Sequence, residues 1–272
     1  MTGGGARAEI SRLSFNQITA DHLSLAEVAE RCVDAGIGWL GVWRHKLEPS
    51  AGELIHSTDL RVSSLCRGGF FPAATSAERR QREDDNRRAI EEAAGLDTDV
   101  LVLVCGGAPG SELKRARAMV VEGIEQLVPH ASASGVRLGI EPLHPMMLVE
   151  RSVIVTLAQA NAIAERFDPG EVGVIVDAYH VWWDPDLERQ IARAGKRIMG
   201  YHVSDWLVPT TDLLAGRGMM GDGTIDLGRI RGLVERAGYE GPIEVEVINP
   251  ALAELPRDAL FSRVREAYLA HA

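Results

Sequence analysis

Short β-branched runs alternate along the chain with longer segments of helical periodicity, and this alternation constrains the fold more than any other feature. Strands that alternate with helices are typical of βα units and a parallel sheet. Eight runs have the composition of strands: 10–15, 39–43, 61–66, 100–104, 136–140, 172–176, 198–203 and 242–247. An open doubly wound sheet usually ends near five or six strands, whereas a closed barrel uses eight. We therefore predict an α/β fold, a (β/α)8 barrel.

The segments between these runs have helical signals of their own. Ser24 and Glu27 have capping-box spacing ahead of an apolar face, and this helix is predicted to end at Gly36. A helix that begins at Leu113 is predicted to end before Pro129. Residues 76–94 are so polar that they predict a solvent-facing outer helix, and the stretch 204–224 predicts a long functional loop.

Length and charge restrict the domain organisation and the partners. Barrels of about 250 residues commonly form one domain, so residues 1–272 are predicted to be a single domain with a flexible N-terminus at 1–9. The formal charge of −10 disfavours nucleic acid and anionic membrane surfaces as partners. No apolar run could span a membrane, and no signal segment is evident, so we expect a cytoplasmic protein. Three widely spaced cysteines predict reduced, partly buried thiols: Cys32, Cys66 and Cys105.

Ionisable residues stand at the ends of the last four strand candidates. They are Glu141, Asp177, His202 and Glu246. Adjacent strands of a barrel bring their carboxyl ends to one side of the mouth, where barrel enzymes carry their active sites. Three carboxylates and one imidazole suit one divalent metal ion, such as Mn²⁺, Mg²⁺ or Co²⁺, and Zn²⁺ also accepts such ligands. The alternative is that each acid merely caps the helix that follows it.

Alternation in the last strand adds a second argument. Ile243, Val245 and Val247 share one face, which turns Glu244 and Glu246 into the barrel. Buried carboxylates without partners are costly, so we expect a cation to compensate them.

Further candidates for substrate binding lie in the loops that follow the strands. His180 stands three residues after Asp177, and Arg217 lies between two glycines that would let it swing over the opening as a lid. Arg67 and Trp43 follow the third and second strands. The alternative for each is a solvated loop residue. The pair Trp182 and Trp183 predicts packing, with a subunit contact as the alternative.

The ordered motifs resemble those of a known family. They are Gly139-Ile-Glu-Pro-Leu, Val176-Asp-Ala-Tyr-His, Tyr201-His-Val-Ser-Asp, Gly221-Asp-Gly-Thr-Ile-Asp and Gly238-Tyr-Glu-Gly-Pro-Ile-Glu-Val-Glu. The set resembles the xylose-isomerase-like TIM-barrel superfamily of sugar phosphate isomerases and epimerases, and is most similar to its inosose isomerase and ketose 3-epimerase branches. The match covers nearly the whole chain.

The resemblance implies a divalent-metal-dependent isomerase or epimerase for a sugar or cyclitol. It places the metal ligands on Glu141, Asp177, His202 and Glu246 and the substrate contacts on His180 and Arg217. It also implies that Glu141 and Glu246 exchange a proton on opposite faces of a metal-bound enediolate. The metal would acidify the C–H bond beside a chelated carbonyl. Family members commonly form dimers or tetramers, so a homo-oligomer is expected.

Alternative functions remain open from the sequence. A leaving group β to the acidified carbon would make the protein a dehydratase or other carbon–oxygen lyase acting on a keto-sugar or keto-inositol. An apurinic-site endonuclease shares the barrel but needs more histidines and a basic groove, and a noncatalytic sugar sensor would need no proton-transferring pair. A phosphorylated substrate would need a cationic cradle, which four residues could supply: Arg44, Lys46, Arg67 and Arg217.

Overall fold

The computed structural model describes residues 10–108 and 112–272, and its central feature is a closed barrel of parallel strands. The barrel strands are β1 (Leu13–Asn16), β2 (Trp39–Trp43), β3 (Arg61–Gly69), β4 (Val100–Val104), β5 (Arg137–Glu141), β6 (Val172–Asp177), β7 (Ile198–Val203) and β10 (Ile243–Val245). They pair in this order, and β10 closes the barrel by pairing with β1. The predicted (β/α)8 barrel is therefore confirmed.

Two short strands outside the barrel correct the prediction of one long irregular loop. β8 (Asp205–Trp206) and β9 (Arg217–Gly218) form an antiparallel pair within residues 204–224. The Asp205 carboxylate accepts hydrogen bonds from four backbone N–H groups, those of Trp206, Gly221, Gly223 and Ile225. These bonds give the segment its own ordered framework.

The helices pack around the outside of the barrel. They are α1 (Leu25–Asp34), α2 (Ala51–His56), α3 (Ser76–Gly95), α4 (Leu113–Ala133), α5 (Leu157–Ala164), α6 (Ala178–Val181), α7 (Leu187–Ala194), α8 (Leu227–Arg236) and α9 (Arg257–His271). Ser24 and Glu27 form the predicted capping box of α1. The predicted end of α4 before Pro129 is wrong, because the helix continues to Ala133 and the buried Ala131 holds its last turn against the core.

Apolar side chains fill two separate spaces, one inside the barrel and one between the barrel and the helices. Along β4 the side chains of Val100 and Val102 belong to the interior cluster, whereas those of Leu101 and Leu103 belong to the outer core. This alternation is the two-residue period of a strand. On the outer side, Phe15 stacks on Phe261 of α9 with ring centroids 4.3 Å apart.

Two further predictions concern the N-terminus and membrane spans. The proposed flexible N-terminus at residues 1–9 lies outside the described residues. Among the helices of residues 10–108 and 112–272, none combines the length and the apolar composition that a membrane span requires.

Candidate metal and active site

Four buried side chains from adjacent strands converge at the mouth of the barrel. Glu141 and Asp177 are the last residues of β5 and β6, His202 lies in β7, and Glu246 directly follows β10. One potential ligand atom of each side chain lies within 4.8 Å of those of the other three. The structure thus brings together all four residues that the sequence singled out as metal ligands, and we call them the acidic cluster.

Asp177 both caps a helix and belongs to the acidic cluster. Its Oδ1 atom accepts a hydrogen bond of 2.9 Å from the backbone N–H of Tyr179 in α6. Its Oδ2 atom lies 3.1 Å from Nη1 of Arg217 and 3.5 Å from Nε2 of His180. The capping alternative is therefore correct for one oxygen, and the other oxygen remains available to the cluster.

The charges of the cluster fit a divalent cation. Burial raises the pKa of Glu141, Asp177 and Glu246, because each carboxylate has lost water. When ionised, these carboxylates carry three negative charges, and Arg217 supplies one positive charge. A divalent ion held together with a neutral His202 would supply the two that remain.

Unpartnered atoms in the centre of the cluster point to the same conclusion. Among the described residues, neither Oε1 of Glu141 nor Nδ1 of His202 has a hydrogen-bond partner, although the two atoms lie 3.4 Å apart. Buried polar atoms are normally paired, and each exception needs an explanation such as an ion. Mixed oxygen and imidazole ligands accept several divalent metals, so the set does not select one of them.

His202 lies between the other cluster carboxylates and Glu244. Its Nε2 atom is 3.8 Å from Oε2 of Glu244, and its Nδ1 atom faces Glu141 and Glu246. Burial by itself lowers the pKa of His202, but the carboxylates of Glu244, Glu141 and Glu246 outweigh it and raise the pKa to about 10. A metal ion would displace this proton, because only neutral imidazole is a ligand.

Glu244 points into the barrel as predicted, but neutral donors rather than a bonded cation hold it. Its carboxylate accepts hydrogen bonds from Nδ2 of Asn16 at 2.5 Å and from the hydroxyls of Ser63 and Ser64. Gly41 makes room for it, since a Cβ atom there would lie 2.0 Å from Oε1 of Glu244. Among the described residues, Glu246 is paired with an arginine, whereas the cationic group beside Glu244 is His202, whose Nε2 atom is 3.8 Å away.

Arg217 is the cation at Glu246, and the alternative of a solvated loop residue is wrong. Its side chain is 3% exposed, and its Nη1 atom lies 3.0 Å from Oε2 of Glu246 and 3.1 Å from Oδ2 of Asp177, so its movement as a lid stays a prediction. The glycine before it allows close packing, since a Cβ atom at Gly216 would lie 2.4 Å from the carbonyl oxygen of Asp212. Burial opposes the charge on Arg217, but the carboxylates of Asp177 and Glu246 raise its pKa.

His180 is buried in the same site with a defined orientation. The backbone N–H of His144 donates to its Nδ1 atom over 3.1 Å, and Nη2 of Arg217 lies 3.1 Å from its Nε2 atom. Burial lowers the pKa of His180 well below its usual range, and the nearby Arg217 lowers it further. A neutral ring therefore lies between the backbone of His144 and the guanidinium of Arg217, beside Asp177.

A small cavity of about 30 Å³, partly open to solvent, lies against the cluster and marks the candidate substrate site. It is lined by Glu141 and Glu246 and by all four predicted substrate contacts: Trp43, Arg67, His180 and Arg217. Arg151 also lines it and was missed by the sequence reasoning. Its signal was its place in the loop after β5, at the end of the barrel where active sites lie.

Two other predicted cradle residues do not reach the cavity. Arg44 points to α3, where its guanidinium pairs with Asp85 at 3.0 Å and with Glu92 at 2.5 Å. Lys46 pairs with Asp21 at 3.1 Å. Both predictions were wrong because nearby carboxylates outside the barrel mouth attract these side chains.

The remaining sequence candidates have structural roles. Trp182 packs against Trp206, and Nε1 of Trp183 donates to the carbonyl oxygen of His180. Both residues therefore pack next to the site. Packing, the first interpretation of this pair, agrees with the structure. The cysteines are free and buried, as expected, and Cys66 lines the cavity.

Comparison with known proteins agrees with this architecture. The family model described as xylose isomerase-like TIM barrel matches residues 29–267. The solved structure of protein SMc04130 from Sinorhizobium meliloti 1021 is 47% identical with a TM-score of 0.92, and the match covers 95% of this chain and 98% of that one. The IOLI protein, solved with a zinc atom, has a TM-score of 0.82 at 19% identity over 94% of this chain and 96% of that one, which shows the fold alone.

A curated relative gives a more specific comparison. A 3-dehydroshikimate dehydratase of Pseudomonas aeruginosa is 30% identical over 169 residues, which are 60% of this chain and 26% of the relative. The chain therefore spans about a quarter of the length of this curated relative. Together with the closed barrel and the match over most of the chain, these findings show that the protein belongs to the xylose isomerase-like TIM barrel family.

Proposed function

We propose that this protein is a metal-dependent enzyme that removes the proton beside the carbonyl group of a small hydroxyketone. The observation that carries the proposal is the buried acidic cluster, whose ligand atoms lie within 4.8 Å of one another next to a cavity. Such a cavity, with convergent polar groups and perturbed pKa values, is the expected form of an active site.

A divalent metal held by Glu141, Asp177, His202 and Glu246 would polarise the carbonyl oxygen of the substrate. The residues of the chain then have separate tasks. Glu141 and Glu246 border the cavity, and burial raises the pKa of both, which makes each carboxylate a stronger base than one in water. One takes the proton from the carbon beside the carbonyl, and the other, when protonated, returns a proton.

Arg217 and His180 support this transfer. Arg217 holds Oε2 of Glu246 at 3.0 Å and fixes the direction of its carboxylate. His180 lines the cavity, and contacts to the backbone of His144 at Nδ1 and to Nη2 of Arg217 at Nε2 fix the plane of its ring against the substrate. Neither residue needs to change its protonation state during the reaction.

We propose elimination as the outcome of the proton transfer, so that the enzyme is a dehydratase or a related carbon–oxygen lyase. Here one glutamate takes the proton, the electron pair forms a carbon–carbon double bond, and the β-hydroxyl leaves as water with a proton from the other glutamate. The support is the 30% identity to a 3-dehydroshikimate dehydratase. The sequence analysis placed isomerisation or epimerisation first, and this relative moves elimination ahead of it.

Isomerisation or epimerisation of a sugar or cyclitol remains the second candidate. It is favoured by the presence of two glutamates at one cavity, since inversion at one carbon needs a proton donor and an acceptor on opposite faces of the substrate. Both reactions use the same first step and therefore the same residues.

The test is incubation of metal-loaded protein in D₂O with 3-dehydroshikimate, keto-inositols and ketoses. Deuterium incorporation and product mass are followed together. Loss of one water molecule supports elimination, and deuterium in a product of otherwise unchanged formula supports isomerisation or epimerisation. If none of these substrates exchanges a proton or changes mass, the proposal fails. The variant Glu235→Gln serves as the control, because Glu235 lies on the outer helix α8.

A further inference from the structure

Two arginines in the cavity form no ion pair with an acid in the part of the chain that the structure describes. Arg67 in β3 and Arg151 in the loop after β5 both line the cavity next to the acidic cluster. Within residues 10–108 and 112–272, no carboxylate oxygen lies within 4.0 Å of either guanidinium group. By contrast, the other partly or fully buried guanidiniums nearby are paired, Arg44 with Asp85 and Glu92 and Arg217 with two cluster carboxylates.

The surroundings of Arg67 keep its charge at the cavity. Its guanidinium lies over the ring of Phe70, 3.9 Å from the ring centroid, which restricts the plane of the group. Burial lowers the pKa of Arg67, and the charge of Arg151 lowers it further. Two half-buried cations that repel each other cost folding energy, and a bound anion would remove that cost.

Among the unpaired buried side-chain atoms that line the cavity, hydrogen-bond donors outnumber acceptors in the described residues. Among the described residues, three buried N–H groups of its lining lack an acceptor: Nε1 of Trp43, Nε of Arg151 and Nε of Arg217. The only unpaired buried side-chain oxygen among the described lining residues is Oε1 of Glu141, which faces His202 within the acidic cluster. A ligand rich in oxygen atoms would satisfy these donors.

We propose that Arg67 and Arg151 form an anion subsite that binds a carboxylate or phosphate group of the substrate beside the acidic cluster. The inference rests on the proposed function, since it assumes that the hydroxyketone part of the same molecule lies over the cluster. The substrate is then a keto acid or a phosphate ester of a hydroxyketone, and a neutral sugar or cyclitol lacks the group that these arginines bind. Guanidinium groups recognise both anions through paired hydrogen bonds.

The experiment compares two matched pairs of probes on metal-loaded protein. 3-Dehydroshikimate is paired with its methyl ester, and fructose 6-phosphate with fructose, so that each pair differs in the anionic group. Binding is measured by isothermal titration calorimetry, and proton exchange is measured in D₂O. We expect one anionic probe to bind at least tenfold more tightly than its neutral partner, and the pair that shows this preference identifies the anion.

Single variants test the two arginines. Arg67→Gln and Arg151→Gln should each weaken binding of the anionic probe by about tenfold to a hundredfold, as expected for loss of a charged hydrogen bond, and should leave the neutral partner unchanged. Arg61→Gln is the matched control, because Arg61 is an exposed residue at the opposite end of β3. An unchanged affinity for the neutral partner also shows that the variant cavity is still folded.

The outcomes separate this inference from the proposed function. Equal binding of both members of each pair, no binding of any probe, or equal weakening of both members in the variants would overturn the anion subsite. Proton exchange on the neutral partners at the same rate would do so while leaving the proposed function intact. Selective anion binding that depends on both arginines, without proton exchange, would support the subsite and reject the proposed function.

Discussion

Removal of divalent metal should lower the thermal stability of this protein, and the acidic cluster determines by how much. Glu141, Asp177 and Glu246 are all buried, and Arg217 pairs with Asp177 and Glu246. Without a metal ion His202 is protonated, because its pKa is raised to about 10, so the two cations leave one of the three carboxylate charges for the folded chain to keep unpaired or to protonate. The unfolded chain has neither cost, so metal binding should favour the folded state strongly.

The size of the effect follows from linkage. A ligand present at a hundred times its dissociation constant stabilises the folded state by about 2.7 kcal/mol. Each kcal/mol corresponds to about 2–4 °C for domains of about 150–250 residues, and this chain of 272 residues should lie near the lower end of that range. We therefore expect the melting temperature to rise by about 5–10 °C when chelator-treated protein receives a saturating metal.

The assay is a thermal melt with Mn²⁺, Mg²⁺, Co²⁺ and Zn²⁺ in turn, together with measurement of the metal content per chain. Asp177→Asn should lose most of the shift, because the amide keeps the oxygen that caps α6 but removes the charge at the cluster. Asp226→Asn is the matched control, since Asp226 caps α8 in the same way on the exposed surface. A wild-type protein without a shift for any metal, or an equal shift in Asp177→Asn, would refute the reasoning.

Three further changes test other parts of the site. Glu246→Gln should reduce substrate proton exchange in D₂O by about 10²–10⁴-fold, the usual effect of losing an acid–base group, while the circular dichroism spectrum stays unchanged; normal exchange would remove Glu246 from the mechanism. Arg217→Met should cost about 3–5 kcal/mol in urea unfolding of metal-free protein, because it leaves two buried carboxylates without their cation, and a loss below about 1 kcal/mol would contradict this pairing. Burial raises the pKa of the Cys66 thiol, so alkylation at pH 8 should be slow in the native state and rapid after unfolding, as mass spectrometry can follow; rapid native labelling would show that the cavity opens to solvent.

The barrel was predictable because each strand carries its own local signal. β4 and β7 have the predicted bounds, 100–104 and 198–203; β4 is a continuous apolar run, and β7 is mostly apolar. The first and last strands differ at their ends: β1 begins at Leu13, three residues after the predicted start, and β10 ends at Val245. Strand ends depend on pairing with neighbours and loops, which a single segment does not encode.

The acidic cluster was predictable for a similar reason. In a parallel barrel, residues at the carboxyl ends of neighbouring strands lie at the same end of the barrel. The register places Asp177 of β6 beside His202 of β7, and Glu244 of β10 beside the same histidine. Loop residues lack such a rule. The burial of Arg217 and the arrival of Arg151 at the cavity depend on how residues 142–156 and 204–224 fold back over the mouth, which no periodicity specifies.

The mouth of the barrel therefore has two halves that differ in chemistry and in origin. The acidic cluster comes from β5, β6, β7 and the residue after β10, whereas Trp43 and Arg67 come from β2 and β3 on the other side. In the proposed function the first half, with its metal ion, would acidify a carbon beside a carbonyl in any hydroxyketone, and it would not distinguish elimination from isomerisation. That choice would depend on where the substrate places its leaving group, and we propose that the second half positions the substrate. Substitution of Arg67 or Arg151 should thus change which compound reacts, whereas substitution of Glu141 or Glu246 should stop the reaction of every compound.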